Sequence, residues 1–179
     1  MKNKGFTLIE ILVTTTIFVS IFGIISGLFF SALKVQRKAM ALQGLIKESS
    51  YVMEYMSRQL RMVKKDDMNC TDPSEPKNYF INPDKNSVSF KNYNDECWKF
   101  YLDEDEGRLK IDRAGKIDFL TSADLNVLSF KINLLGDVNG DEAQPRITFV
   151  LKIQGNGQKT EEKPTIQIQT TVSQRNLDI

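Results

Sequence analysis

Three kinds of apolar spacing divide this chain. From Phe6 to Leu33, a run of 28 residues, Glu10 is the single charge. Ile11, Leu12, Val13, Ile17, Phe18, Ile21, Phe22, Ile25, Leu28 and Phe29 spread around the whole helical circumference. Apolarity on every side predicts a helix in lipid rather than one on the surface of a soluble domain. At about 1.5 Å per residue the run makes a helix of roughly 42 Å, more than a hydrocarbon core of about 30 Å needs. From residue 34 the pattern becomes one-sided. Val35, Ala39, Leu42, Ile46, Ser49, Met53, Met56, Leu60 and Val63 step by four and three. Such a stripe predicts an amphipathic helix over 34–65 that continues the first and lays one face on a partner. The simplest partner is the rest of the chain; a coiled-coil dimer fits the stripe as well.

A third pattern follows a break. Asp72-Pro73, Glu75-Pro76 and Asn82-Pro83 are turn signals and predict a loop over 66–86. Beyond it apolar and polar residues alternate. The inward sets are Trp98, Phe100 and Leu102; Leu109 and Ile111; Leu128, Phe130, Ile132 and Leu134; Ile147, Phe149, Leu151 and Ile153; and Ile166, Ile168 and Val172. Period-two alternation predicts half-buried antiparallel strands in a β-rich head over 87–179. The stalk's stripe is the natural cover for that sheet. The expected fold class is α+β: a long N-terminal helix packed on an antiparallel sheet.

Charge sharpens this picture. From Lys34 to Lys65 eight lysines and arginines stand against Glu48 and Glu54, a net +6. From Asp66 onward 14 basic residues stand against 20 acidic, a net −6. A basic stalk and an acidic head are suited to attract each other between subunits, and the stalk to meet anionic headgroups. An ordinary solvated helix reads the same way. The acidic head disfavours nucleic-acid contact. The chain holds no histidine, which removes Ser-His-Asp and Cys-His nucleophiles and the commonest transition-metal ligand. No enzyme constellation is present, so no catalytic residue and no organic cofactor is expected.

The first ten residues, Met-Lys-Asn-Lys-Gly-Phe-Thr-Leu-Ile-Glu, carry a resemblance. They are similar to the class III signal of type IV pilins and of type II secretion pseudopilins. The resemblance implies a leader of residues 1–5, removed by a prepilin peptidase that cuts after Gly5. It implies N-methylation of the new terminus at Phe6, and Glu10 as the residue that sets register between subunits. Physically, Glu10 needs a partner, because a carboxylate inside a membrane segment costs up to about 2.5–3.5 kcal/mol. A neighbour's Phe6 amine fits that need; an interfacial glutamate of an uncleaved anchor is the plainer reading. Lys2 and Lys4 before the span against Lys34, Arg37 and Lys38 after it leave orientation open. The family implies a cytoplasmic N-terminus in the cytoplasmic membrane, a single pass and an extracytoplasmic head. Pro145-Arg146 and Ser173-Gln174-Arg175-Asn176 look like the J-type, PilW-like minor pseudopilins.

Two further features remain. Cys70 and Cys97 are the two cysteines. In an exported head a bond between them closes a loop worth about 3 kcal/mol; two independent thiols, with Cys97 buried beside Trp98, are the other reading. Asp137, Asn139 and Asp141 alternate as ligands do in calcium loops, but Glu142 and Thr148 depart from that pattern; an Asn139-Gly140 turn is the favoured reading, and calcium the alternative. The expected function is a minor pseudopilin of a type II secretion fibre, with the prepilin peptidase, other pilins and the membrane as partners. The alternatives are a minor type IV pilus subunit in adhesion, DNA uptake or motility, and a membrane-anchored binding module that never polymerises.

Overall fold

A computed structural model of the chain describes residues 5–65, 70, 77–84, 86–136, 144–157, 159 and 163–175. One helix dominates: α1 runs unbroken over Leu8–Arg61, 54 residues and roughly 81 Å. Its first half touches nothing. Phe6, Leu8, Ile9 and every large apolar residue from Ile11 to Phe30 are exposed, a surface suited to lipid or to other subunits rather than to water. The predicted loss of all-round apolarity after Leu33 involves no break in the helix.

The remainder is antiparallel throughout. β1 (Tyr79–Ile81), β2 (Ser87–Lys91), β3 (Cys97–Asp103), β4 (Arg108–Arg113) and β5 (Lys116–Phe119) form a five-stranded meander. β6 (Leu125–Leu135), β7 (Arg146–Gly155) and β8 (Thr165–Ser173) form a second, three-stranded sheet. α1 lies along β7 and β8, and β6 meets β2, β3 and β4. The C-terminal half of α1 joins both sheets to one core, in which Met56, Leu60, Phe90, Phe100, Ile111, Phe149 and Leu151 are fully buried. The α+β expectation holds. The sheet is divided in two, and β1 lies inside the segment expected to be loop. There Tyr79 is buried and its hydroxyl donates to the Leu60 carbonyl at 2.5 Å. The β4–β5 connection is Ala114-Gly115, both at positive φ (51° and 94°), the tight hairpin geometry that matches strand twist.

The stripe is corrected in detail. Val35 and Ile46 are 66% and 48% exposed, and Ala39 is exposed too. Leu45 and Val52, off the expected stripe, are buried. A strict 3.5-residue seam drifts about 20° per heptad on a straight helix, and this helix packs on its own head without supercoiling. The head also covers only the turns after about residue 41. Leu128 is a second correction. A bulge between Val127 and Ser129 turns it outward and Val127 inward, because one extra residue reverses the alternation.

The helix is fixed to the head at both ends of the contact. Low on the helix, Glu48 accepts hydrogen bonds from the Ser122 N–H (2.5 Å) and Oγ (2.9 Å). High on it, buried Gln174 donates through Nε2 to the Val63 carbonyl (3.0 Å) and Asn78 Oδ1 (3.2 Å), and Arg175 N–H donates to the Arg61 carbonyl at 2.9 Å.

Candidate functional site

The amino-terminal approach to α1 brings together the residues singled out in the sequence. Thr7, with φ −81° and ψ 152°, is the N-cap. Its Oγ1 accepts from the Glu10 N–H, and the Glu10 carboxylate accepts from the Thr7 N–H and Oγ1, each at 3.3 Å. This capping box satisfies two of the free N–H groups of the first turn, and it places a negative charge at the positive end of the helix dipole. Thr7 is not among the residues expected above; Thr-x-x-Glu ahead of an apolar run is the sequence signal for it. Glu10 therefore has local partners. They occupy part of its acceptor capacity, since a carboxylate can take about four hydrogen bonds, and the side chain stays exposed.

Gly5 and Phe6 lie before the cap, outside any regular element. A Cβ built on Gly5 meets nothing within 4 Å, and Phe6 is 80% exposed. Among the described residues, nothing in the fold requires glycine at position 5. Within the span, Thr14, Thr15, Thr16 and Ser20 return their hydroxyls to carbonyls three or four residues back at 2.8–3.0 Å. Their donors are thus met without water.

The other expected site residues lie in or near the head. Cys70 and Cys97 are joined by a disulfide, with Cα atoms 5.1 Å apart. Cys97 is exposed at the start of β3, so the reading of it as a buried thiol beside Trp98 is set aside. Asp137, Asn139 and Asp141 lie outside the described residues. Among the described residues no group of three acidic or thiol side chains could hold a metal ion. The acidic run Asp103–Glu106 forms the β3–β4 hairpin loop. Lys110 donates to Asp103 at 2.7 Å, and the Asp105 and Glu106 N–H groups donate to its other oxygen at 3.1 Å. These bonds, the lysine's first, hold the Asp103 carboxyl below its ordinary value; the same pairing raises Lys110. The Lys64 ammonium, 2.9 Å away, likewise lowers Asp95.

Compared with known families, residues 1–30 match the prokaryotic N-terminal methylation motif, the amino-terminal segment of type IV pilin-like proteins. Comparison with curated proteins and with solved structures returns no match. The motif and the exposed apolar helix support a membrane-anchored protein with a pilin-like amino terminus. The motif implies processing by a prepilin peptidase and assembly with other pilins, and it points to a structural subunit rather than an enzyme.

Proposed function

We propose that this chain is a minor pseudopilin: a structural subunit of a fibre built from the cytoplasmic membrane and serving type II protein secretion. The observation that carries the proposal is the methylation motif over residues 1–30, with Gly5-Phe6 exposed ahead of a capped apolar helix. The peptidase cuts after Gly5, the new Phe6 amine is methylated, and a neighbour's amine pairs with the free acceptor sites of Glu10. The N-terminus lies in the cytoplasm and the head outside it. Glycine at position 5 then answers the peptidase's need for an unencumbered scissile residue, since no described residue requires it there. The J-type assignment extends the resemblance of Pro145-Arg146 and Ser173-Gln174-Arg175-Asn176 alone. Intact-mass analysis of protein from its native host tests the reading. A chain beginning at N-methyl-Phe6 is expected; an unprocessed chain retaining Met1–Gly5 overturns it. Co-purification with a secretion system rather than a surface pilus separates the two fibre types.

A further inference from the structure

Between the apolar span and the head, α1 is bare. The helical part of the span, Leu8 to Leu33, is 26 residues and roughly 39 Å long. A bilayer with its headgroups is about 40–45 Å thick, so Lys34 emerges within the headgroup layer, with Lys38 about 6 Å beyond it. The first fully buried helix residue is Leu45, and Lys34, Arg37 and Lys38 are all exposed. Among the described residues these three make no ion pair. Higher up, Arg58, Lys64, Lys91, Lys110 and Arg113 each pair with a carboxylate. The nearest helix carboxylate above them is Glu48, which is committed to Ser122.

The three cations also share a side. At about 100° per residue, Arg37 and Lys38 fall roughly 60° to one side and 40° to the other of Lys34, and Leu45, Val52 and Met56 fall on the same half of the helix. The collar therefore lies directly beneath the head. The membrane-side end of the head carries charges of both signs, since Arg108 binds the Thr121 carbonyl and exposed Lys163 adjoins Pro164 there. The Glu48–Ser122 contact marks the membrane-side end of the head, because the opposite end of the helix contact is the Val63–Gln174 bond. Asp124 follows Ser122. The Glu104–Glu106 loop shares a concavity of about 530 Å³ with Ala123, Leu125 and Asn126. Glu104, Asp105, Glu106 and Asp124 are exposed.

We propose that Lys34, Arg37 and Lys38 form a collar that binds anionic phospholipid headgroups. Each basic residue near an anionic surface gains about 1 kcal/mol, and the attraction fades within a Debye length of about 8 Å. Lys38 lies roughly 15 Å below Glu48 along the axis, so the collar meets lipid phosphate before it meets its own head. The inference rests on the span alone and is independent of fibre assembly.

The test uses the full chain reconstituted in phosphatidylcholine membranes with trace spin-labelled phosphatidylglycerol or phosphatidylcholine. The motionally restricted fraction is expected to favour phosphatidylglycerol about fivefold, equivalent to about 1 kcal/mol. High salt and the triple variant Lys34→Gln/Arg37→Gln/Lys38→Gln should remove that preference. The control Lys131→Gln/Lys152→Gln, on exposed strand positions of the head, should retain it. Carbonate extraction verifies that each variant is inserted. Equal restriction of the two lipids overturns the proposal, as does a preference that survives the triple variant. Cross-linking of the collar to an acidic segment of another protein, without lipid preference, overturns it in favour of a protein partner.

Discussion

Replacing Leu60 with alanine tests whether the helix and sheets form one core. Leu60 is fully buried, and its carbonyl, not its side chain, holds the Tyr79 hydroxyl. Truncation therefore removes packing and leaves that hydrogen bond in place. Three carbon atoms at about 0.8 kcal/mol each give roughly 2.4 kcal/mol of lost transfer energy. The cavity left behind raises the cost to between about 2 and 5 kcal/mol. For a head of this size each kcal/mol moves Tm by about 3–4 °C, so a drop of roughly 6–20 °C is expected. Ile46→Ala is the matched contrast, because Ile46 is 48% exposed; its cost should stay below about 0.5 kcal/mol. Urea melts of a soluble fragment covering 34–179, disulfide intact, measure both, since the buried core extends only from Leu45 to Gln174. A Leu60→Ala cost below about 0.5 kcal/mol would show that this face meets solvent or another subunit. A large Ile46→Ala cost would restore the stripe read from the sequence.

Glu10→Gln should insert normally and incorporate poorly with partner pilins; normal pull-down of partners by this variant would remove the charge-pairing argument. Gly5→Val should leave the head's melting unchanged, since nothing lies within 4 Å of the position, yet accumulate as uncleaved chain by mass. Exported protein, denatured without reductant, should show no free thiol and two after reduction; two thiols before reduction would mean that the Cys70–Cys97 bond does not form in the cell. Asp103 and Asp95 titrate below the ordinary 3.8 when folded. Their stabilisation is therefore present above that value and lost as pH falls through the lowered folded values. Acid melts of Lys110→Met should show a shallower loss in that window, and an unchanged acid limb would rule out the Asp103 pairing as a source of stability.

The features legible in the sequence were those with a local period. The apolar run, the alternating strands and the turn-rich break each carry their signal within a dozen residues. The Thr7–Glu10 capping box is equally local, carried by Thr-x-x-Glu ahead of the apolar run. What escaped needed non-local information. Leu45 and Val52 are buried because of where the head begins and how a straight helix drifts, which no heptad count contains. The exposure of Leu128 depends on a bulge. Ala114 at positive φ gives no compositional warning, so β5 was not separated from its surroundings. The Glu48–Ser122 contact joins residues 74 apart, with no sequence mark on either.

On the proposed reading, Glu10 serves both a free subunit and an assembled one. Before assembly a bare carboxylate at the edge of the lipid would be costly. The capping box lessens that cost with two exposed hydrogen bonds of 3.3 Å, from the Thr7 N–H and Oγ1, long enough to be weak. A neighbour's ammonium in a water-poor setting offers a stronger, charge-assisted partner. The exchange need not break the box, because the acceptor sites beyond Thr7 remain open. Glutamine at the same position can also complete a capping box, so Glu10→Gln preserves the helix start and deletes only the charge. A loss of assembly in that variant, with the helix and its insertion intact, therefore isolates the ion pair from the cap.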